Sequence, residues 1–305
     1  MFSGHAGKEV AQYLQKHFVE ILLKEESFID EDYELSLSKA FATVDNILQN
    51  DPTAIEELKA FAQETQKQDK EYNAQYYKDN NLTEEEIQSL SSFKDVIDWK
   101  NNCNNIALYS GVSACVCLLV KFRFVVASVG DIKCLIYKPD GSLFKQNKQQ
   151  FQRDIDYDLL NKANDDNRKI LMDEIFRKNN GKVNFGLVRS LGDLEFKKEG
   201  IIQSTPETIS MLTKEVAHIF ICNSCLYRAC AMNDFETIIN NMNNDNDNGN
   251  TLNMITTFIE SKCPKALKES DPLLYGNMTM MVAYIKKEFR EKKFPIEKKR
   301  KKKNE

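Results

Sequence analysis

Phe2-Ser3-Gly4-His5-Ala6-Gly7 opens this 305-residue chain, and four further short strings follow it in a fixed order. In chain order they are Ser128-Val129-Gly130-Asp131, Val188-Arg189-Ser190-Leu191-Gly192-Asp193, Ile221-Cys222-Asn223-Ser224 and Tyr275-Gly276-Asn277-Met278-Thr279. Each string alone is a weak signal. Five strings in order, with sensible spacing between them, are a strong indication of one fold.

The segments around these strings alternate between helical and strand patterns. Apolar residues at helical spacing predict an amphipathic helix over Lys8–Lys24 and a second one around Leu37–Leu48, which Pro52 ends. A further helix is predicted over Asp166–Arg177, and another begins at Asp234. Short β-rich runs predict strands at Cys115–Val120, Phe122–Val129, Lys133–Lys138, His218–Asn223 and Met278–Ile285, with a turn at Pro139-Asp140-Gly141. This mixture predicts an α+β protein.

Together the strings resemble the metal-dependent PP2C (PPM-type) protein serine/threonine phosphatases. That family reads DGHGG, VGDS, SRxLGD, a strand ending in DG, and DNMT. The resemblance covers roughly Phe2–Ile285 and implies a four-layer αββα sandwich. The family has two strands before its first string, so the resemblance implies that this sheet lacks its first strands. Either a partner covers the resulting edge, or Met1 is not the natural start.

We expect one PP2C-like domain over residues 1–287 and a basic, disordered tail over 288–305. Residues 53–105 do not match the family pattern and are polar and helix-prone, with a capping-box pattern at Thr83–Glu86. We interpret them as an inserted helical segment on the surface. It is either a solvated decoration or an arm that docks a partner.

The resemblance implies a site for two divalent metals, usually Mg or Mn, whose bridging water attacks phosphorus. These hard cations need anionic oxygen ligands. In this chain most of the family's carboxylate positions are neutral, so we predict a degenerate metal site. The degenerate positions are Ser3, Asn223, Tyr227 and Gly276.

A few residues of the implied site remain. The Gly4 carbonyl, Asp131 and the amide of Asn223 are the residual candidates for metal ligands, while Asp193 is retained at the periphery. His5 matches the family histidine proposed to protonate the leaving group. Because the metal site is predicted to be degenerate, we favour the alternative that His5 is a polar residue kept for hydrogen bonding at a turn.

The leading hypothesis is a catalytically inactive PP2C-like pseudophosphatase that acts by protein–protein interaction and needs no metal cofactor. The alternative is an active Mg/Mn-dependent protein serine/threonine phosphatase with a degenerate metal site. The expected partner is another protein or a phosphoprotein. Saturable binding of a divalent metal would separate the two hypotheses.

Charge and composition exclude several other classes of protein. The net charge is -4, but Lys286–Glu305 holds eleven lysines and arginines against four glutamates, so the rest of the chain carries -11. An acidic body makes nucleic acid an unexpected partner. No apolar run reaches membrane-spanning length. Met1 directly precedes the first string, so we expect no signal peptide. We therefore predict a cytoplasmic protein, with Lys298–Lys303 as a candidate nuclear-localisation signal.

The eight cysteines are scattered, mostly in strand-like runs such as Cys115–Leu118, and are predicted to be reduced and buried. Cys222 and Cys225 form a lone CxxC, which is a poor zinc signal without a second pair. Cys222 and Arg228 also have the Cys-x5-Arg spacing of cysteine-dependent phosphatases. The intervening residues contain no glycine, so we interpret this spacing as chance.

Overall fold

The structure is a computed structural model, and it describes residues 1–79, 83, 103–150, 187–198, 202–244, 253–262 and 278–292. Helices and strands are mixed along the chain, which confirms the predicted α+β class. The strands are β1 Phe2–His5, β2 Gly111–Val120, β3 Arg123–Val129, β4 Lys133–Tyr137, β5 Leu143–Gln146, β6 Leu191–Gly192, β7 Glu207–Leu212, β8 His218–Cys222 and β9 Met280–Tyr284. The helices are α1 Glu9–Lys24, α2 Glu26–Ile29, α3 Tyr33–Asn50, α4 Pro52–Asp79, α5 Leu194–Lys198, α6 Ser224–Ala229, α7 Met232–Asn244, α8 253–262 and α9 Lys287–Arg290.

The strands form two sheets. The first has the order β1-β2-β3-β7, with β6 also paired to β2, and the second has the order β5-β4-β8-β9. Both β1 and β6 run antiparallel to β2, and every neighbouring pair in the second sheet is antiparallel. In the first sheet the register places Phe2 opposite Ala114 and His5 opposite Gly111.

The chain divides into two compact units, which we describe separately. Unit 1 comprises Met1–Ala114, Ala127–Ile132 and Gln149–Glu207, and unit 2 comprises Cys115–Val126, Lys133–Lys148 and Thr208–Glu305. The predicted domain limits at residues 53, 105 and 287 stay predictions. None of the described helices is long and apolar enough to cross a membrane.

The core of unit 1 is built on α1 and α3, the two helices that the apolar periodicity predicted. Their predicted apolar faces are buried. On α1 these residues are Val10, Leu14, Phe18, Ile21 and Leu22, and on α3 they are Leu37, Ala40, Phe41, Val44 and Leu48. Local periodicity was therefore sufficient to define both core faces.

The first turns of α4 also belong to this core. Ala54, Leu58 and Ala62 are buried. Glu57 interacts with α1 through His17 Nε2, 2.8 Å away, and accepts a hydrogen bond from Lys16 Nζ at 2.6 Å. This part of the chain is helical, and its first turns are buried. That residues 53–105 form an insertion stays a prediction. Residues 84–102 of the predicted insertion lie outside the described residues.

Unit 2 has its core between the second sheet and α6 and α7. Every residue of β4 and β8 is buried. Phe220 makes edge-to-face contacts with Tyr137 and Phe235, with ring centroids 5.7 and 5.5 Å apart. Such pairs contribute about 0.5–1.5 kcal/mol each beyond the burial of their surface. The predicted turn is present, since Gly141 has φ +83° and donates to the Lys138 carbonyl.

The predicted helix over Asp166–Arg177 and the tail lie outside the described residues. The predicted strands agree with β2, β3, β4, β8 and β9 to within a few residues at each end. The helix expected from Asp234 begins two residues earlier, as α7.

Candidate functional site

The first string forms a tight strand-to-helix turn in unit 1. Gly4 lies on β1 opposite Val112, and the chain then turns through Ala6 and Gly7 into α1. A Cβ on Gly4 would lie 2.4 Å from the Gly7 carbonyl oxygen, so a side chain at this position would force the backbone apart. The turn therefore requires a glycine at position 4, whatever the chemistry of the string.

The second string forms a turn beside β2. Gly130 has φ +84°, and the Asp131 backbone N–H donates to Ser113 Oγ at 3.2 Å. In the β1–β2 register Ser113 lies opposite Ser3. The structure thus brings Ser3 and Asp131 to the same serine of β2. Asp131 is half-buried, and its carbonyl accepts from Gln149 Nε2 at 2.5 Å.

The aspartate of the third string holds the histidine of the first. Asp193 is fully buried, and its Oδ2 lies 2.7 Å from His5 Nε2. The same oxygen accepts from Ser190 Oγ at 2.5 Å. Asp193 Oδ1 is buried with no hydrogen-bond partner among the described residues. Because Asp193 is rigidly placed, it fixes the orientation of the His5 ring.

A pair of oppositely charged side chains, Asp45 and Lys197, also contacts the third string, and no local pattern in the sequence predicts it. Asp45 of α3 accepts from the Gly192 N–H at 2.9 Å and from Lys197 Nζ. Lys197 also donates to the Ser190 carbonyl at 2.8 Å. Burial raises the pKa of Asp45 and lowers the pKa of Lys197, so each charge depends on the other. The pair fixes the backbone of the third string.

The fourth string places Asn223 in unit 2, at the end of β8. Asn223 is the N-cap of α6, and its Oδ1 accepts from the backbone N–H of Leu226 at 3.4 Å. The same oxygen accepts from the Thr279 N–H at 3.1 Å, and the Asn223 N–H donates to the Thr279 carbonyl. Asn223 therefore joins the fourth string to the fifth. Gly276 lies outside the described residues.

Tyr227 follows on α6, and its ring packs in the apolar part of unit 2. Its ring centroid lies 6.4 Å from that of Phe235, and Lys133 Nζ lies 5.3 Å from it on a cation–π contact. Burial raises the pKa of Tyr227, so the phenol is neutral at physiological pH. It supplies no anionic ligand.

The described positions that were predicted to hold Mg or Mn offer mostly neutral groups. Ser3 offers a hydroxyl, Gly4 a carbonyl and Asn223 an amide whose oxygen is already engaged. Asp131 keeps an outlying carboxylate, and so does Asp193, which is buried against His5. Among the described residues, only thiols form a group of three or more potential ligands within reach of one ion. Hard cations bind thiols poorly and need several anionic oxygens.

Cys222 and Arg228, which have the spacing of a cysteine-dependent phosphatase, also lack the chemistry of one. Burial raises the pKa of the Cys222 thiol far above its ordinary value, whereas a nucleophilic cysteine must be a thiolate.

The other two histidines have structural contacts. His17 bonds Glu57, and the buried His218 stacks on Tyr284 with ring centroids 5.0 Å apart.

Known proteins resemble this chain in both sequence and fold. The family model described as Protein phosphatase 2C matches residues 51–224, more than half of the chain. "Probable protein phosphatase 2C 3" and "Protein phosphatase 2C 1" of Paramecium tetraurelia are each 26% identical, over 211 and 215 residues. These matches cover 68% and 70% of this chain but 53% and 54% of the relatives, so the chain spans about half their length.

Among solved structures, that of a C. elegans sex determining protein has a TM-score of 0.51 at 16% identity. The match covers 93% of this chain and 55% of that one, and at this identity it concerns the fold alone. The predicted α+β fold of PP2C type is confirmed. The family match, the relatives and the five strings agree, and the chain belongs to the protein phosphatase 2C family.

Proposed function

We propose that this chain is a pseudophosphatase domain of the PP2C family, which no longer hydrolyses phosphate esters with bound metal and acts by binding another protein. The observation that carries the proposal is the state of Asn223. Its side-chain oxygen is neutral and already accepts two backbone hydrogen bonds. Asn223 therefore stabilises the fold but has no negative charge with which to bind a metal ion.

The size of the electrostatic loss supports this proposal. At about 4 Å and an effective dielectric constant of about 20, each carboxylate attracts each unit of ion charge by about 4 kcal/mol. Replacing a carboxylate by Ser3 or Asn223 removes most of that attraction for a divalent ion. Asp193 does not compensate, because it is fully buried and bonded to His5 and Ser190.

A phosphorylated protein is the partner that the remaining groups favour. The His5 side chain is 24% exposed and is oriented by Asp193. When protonated, it could donate a hydrogen bond to a phosphoryl oxygen. This supports weak retention of phosphorylated segments.

The second candidate is an active Mg- or Mn-dependent protein phosphatase with a degenerate metal site. It is favoured by the same His5–Asp193 pair, which would orient a general acid, and by the names of the relatives. In that case Gly4, Asp131 and Asn223 would hold what metal is bound. The two candidates differ in whether turnover requires metal.

The deciding experiment is hydrolysis of a phosphopeptide by the purified chain with Mn²⁺, beside a chelated sample and an Asp131→Ala variant. We expect no turnover above the chelated blank, in protein shown to be folded by circular dichroism. Metal-dependent turnover that disappears in Asp131→Ala would overturn the proposal and establish the enzyme. Binding of the same phosphopeptide, measured by calorimetry with and without His5→Ala, tests the proposed partner.

We propose that the protein acts in the cytoplasm, with the Lys298–Lys303 run as a candidate signal for nuclear import. That run lies outside the described residues. Deleting it from a fluorescent fusion tests the assignment, and an unchanged nuclear fraction would argue against it.

A further inference from the structure

Three cysteines from two different strands lie close together inside unit 2. Cys115 and Cys117 are two residues apart on β2, so their side chains leave the same face of that strand. Cys134 lies on β4. The three sulfur atoms all lie within 4.8 Å of one another. We refer to Cys115, Cys117 and Cys134 as the thiol cluster.

The thiol cluster is held on rigid elements. Cys115 and Cys134 are fully buried, and Cys117 is half-buried. The Cys134 N–H donates to Asn147 Oδ1 at 2.7 Å, and Cys134 lies opposite Ile221 in the β4–β8 register. The sulfurs are therefore positioned by strand backbones and not by a flexible loop.

The three thiols also interact with one another. Hydrogen bonds from Cys117 and Cys134 lower the pKa of Cys115, and the same interactions raise the pKa values of Cys117 and Cys134. The thiolate is the form of cysteine that binds metal ions.

We propose that the thiol cluster binds one thiophilic d¹⁰ ion, Zn²⁺ or Cu⁺, through its three sulfurs. Sulfur ligands about 2.3 Å from such an ion lie about 3.8 Å from one another, which fits within the 4.8 Å limit observed here. Soft thiolates select Zn²⁺ and Cu⁺ over Mg²⁺ and Mn²⁺. The site is thus independent of the proposed loss of phosphatase metals.

The competing explanation is that the three cysteines simply fill the core, since free cysteine packs well as a small apolar residue. Simple packing predicts no dependence on soft metal ions. A binding site predicts one ion per chain and a requirement for all three sulfurs. These outcomes can be measured directly.

The experiment uses the full chain, reduced and treated with chelator under nitrogen, and titrated with Cd²⁺ as a spectroscopic probe. We expect sulfur-to-cadmium charge-transfer absorption that saturates at one ion per chain. Zn²⁺ and Cu⁺, added in separate arms, should each displace Cd²⁺, and the stronger competitor identifies the preferred ion. Cys115→Ser, Cys117→Ser and Cys134→Ser should each weaken binding at least tenfold.

Cys225→Ser is the matched control, because Cys225 is half-buried, lies outside the thiol cluster and belongs to the lone CxxC. It should bind like the unaltered chain. If buried substitutions prevent folding, X-ray absorption at the cadmium edge of the unaltered chain still counts sulfur neighbours. Fewer than three sulfurs, no saturation at one ion, or equal loss in Cys225→Ser would overturn the proposal.

Discussion

The polar groups around His5 in unit 1 and around Asn223 in unit 2 differ in charge and in burial. In unit 1 the carboxylates of Asp193 and Asp45 remain, each buried against a basic side chain. Ser3, on the same strand as His5, is uncharged. In unit 2 a neutral amide occupies the strand end and makes the backbone hydrogen bonds that a carboxylate could also make. The fold thus keeps a hydrogen-bond acceptor at Asn223, and in unit 1 it keeps buried carboxylates beside basic side chains.

The largest expected effect comes from breaking the buried pair in unit 1. Lys197→Met leaves the Asp45 carboxylate buried without its cation, and such changes cost about 3–5 kcal/mol. We expect a loss of this size in the free energy of unfolding, measured by urea denaturation. Combining Lys197→Met with Asp45→Asn should recover part of it.

The neighbouring Lys198→Met provides the control, because Lys198 pairs with Glu195 at the surface. Exposed pairs contribute about 0.2–1 kcal/mol. Equal losses in the two single variants would show that the buried pair has no special role.

A smaller effect is expected from crowding Asp193. A Cβ on Gly111 would lie 2.1 Å from Asp193 Oδ2, so Gly111→Ala must move the carboxylate away from His5. We expect a cost of about 1–3 kcal/mol, as for other overpacked cores. The imidazole NMR signals of His5 should shift as well.

Gly141→Ala serves as the comparison, since its nearest neighbour would be 3.8 Å away and only its φ of +83° opposes the change. It should leave the His5 signals in place. A shift of those signals in Gly141→Ala, or none in Gly111→Ala, would argue against the described contact.

Asn223 allows a direct test of the acceptor in unit 2. Asn223→Ala removes the cap of α6 and the bond to Thr279, and we expect a loss of about 1 kcal/mol. Asn223→Asp should change the unfolding free energy by less than about 0.5 kcal/mol, because both residues cap helices equally well. Calorimetric unfolding would measure both values.

Asn223→Asp also sharpens the functional proposal. We expect it to give no Mn²⁺-dependent hydrolysis of a phosphopeptide, since Ser3 and Gly276 remain uncharged. Hydrolysis restored by Asn223→Asp would mean that the missing charge at this one position accounts for the loss of phosphatase activity.

The smallest effect concerns Glu57, which joins α4 to α1. Burial opposes its charge, but hydrogen bonds from Lys16 and His17 outweigh burial and hold the pKa of Glu57 below its ordinary value. A lowered carboxyl pKa stabilises the fold above the unfolded value of about 4.3, and the gain disappears as the pH falls through the folded value. Glu57→Gln should therefore cost about 0.5 kcal/mol at neutral pH.

The pH dependence is the diagnostic part of this prediction. Urea denaturation of Glu57→Gln and of the unaltered chain should converge as the pH falls below about 4. A difference that persists unchanged in acid would indicate a packing effect instead of an electrostatic one.

Much of the fold was predictable because it is encoded locally. The buried faces of α1 and α3 follow from periodicity within single segments, and β8 and β9 follow from short β-rich runs. The role of the first turns of α4 was not predictable in this way, because Ala54, Leu58 and Ala62 are too sparse to distinguish a core helix from a surface one.

The candidate site, like the fold, was predictable only where it depends on local sequence. The five strings, read with the family pattern, identified Ser3, His5, Asp131 and Asn223. They gave no sign that Asp193 bonds His5, which is 188 residues away, or that Lys197 bonds Asp45 across 152 residues. Such pairs form only when strands and helices pack, since no local pattern links their partners.

By itself the sequence determined the family, the α+β class and the loss of carboxylates at named positions, because these depend on residue identity and on short-range spacing. Only the tertiary structure decided how the remaining polar groups are used. It engaged the Asn223 oxygen with two backbone donors, buried Asp193 against His5, and gathered Cys115, Cys117 and Cys134 from two strands. Those outcomes depend on burial and distance, which are set by packing between segments far apart in the chain.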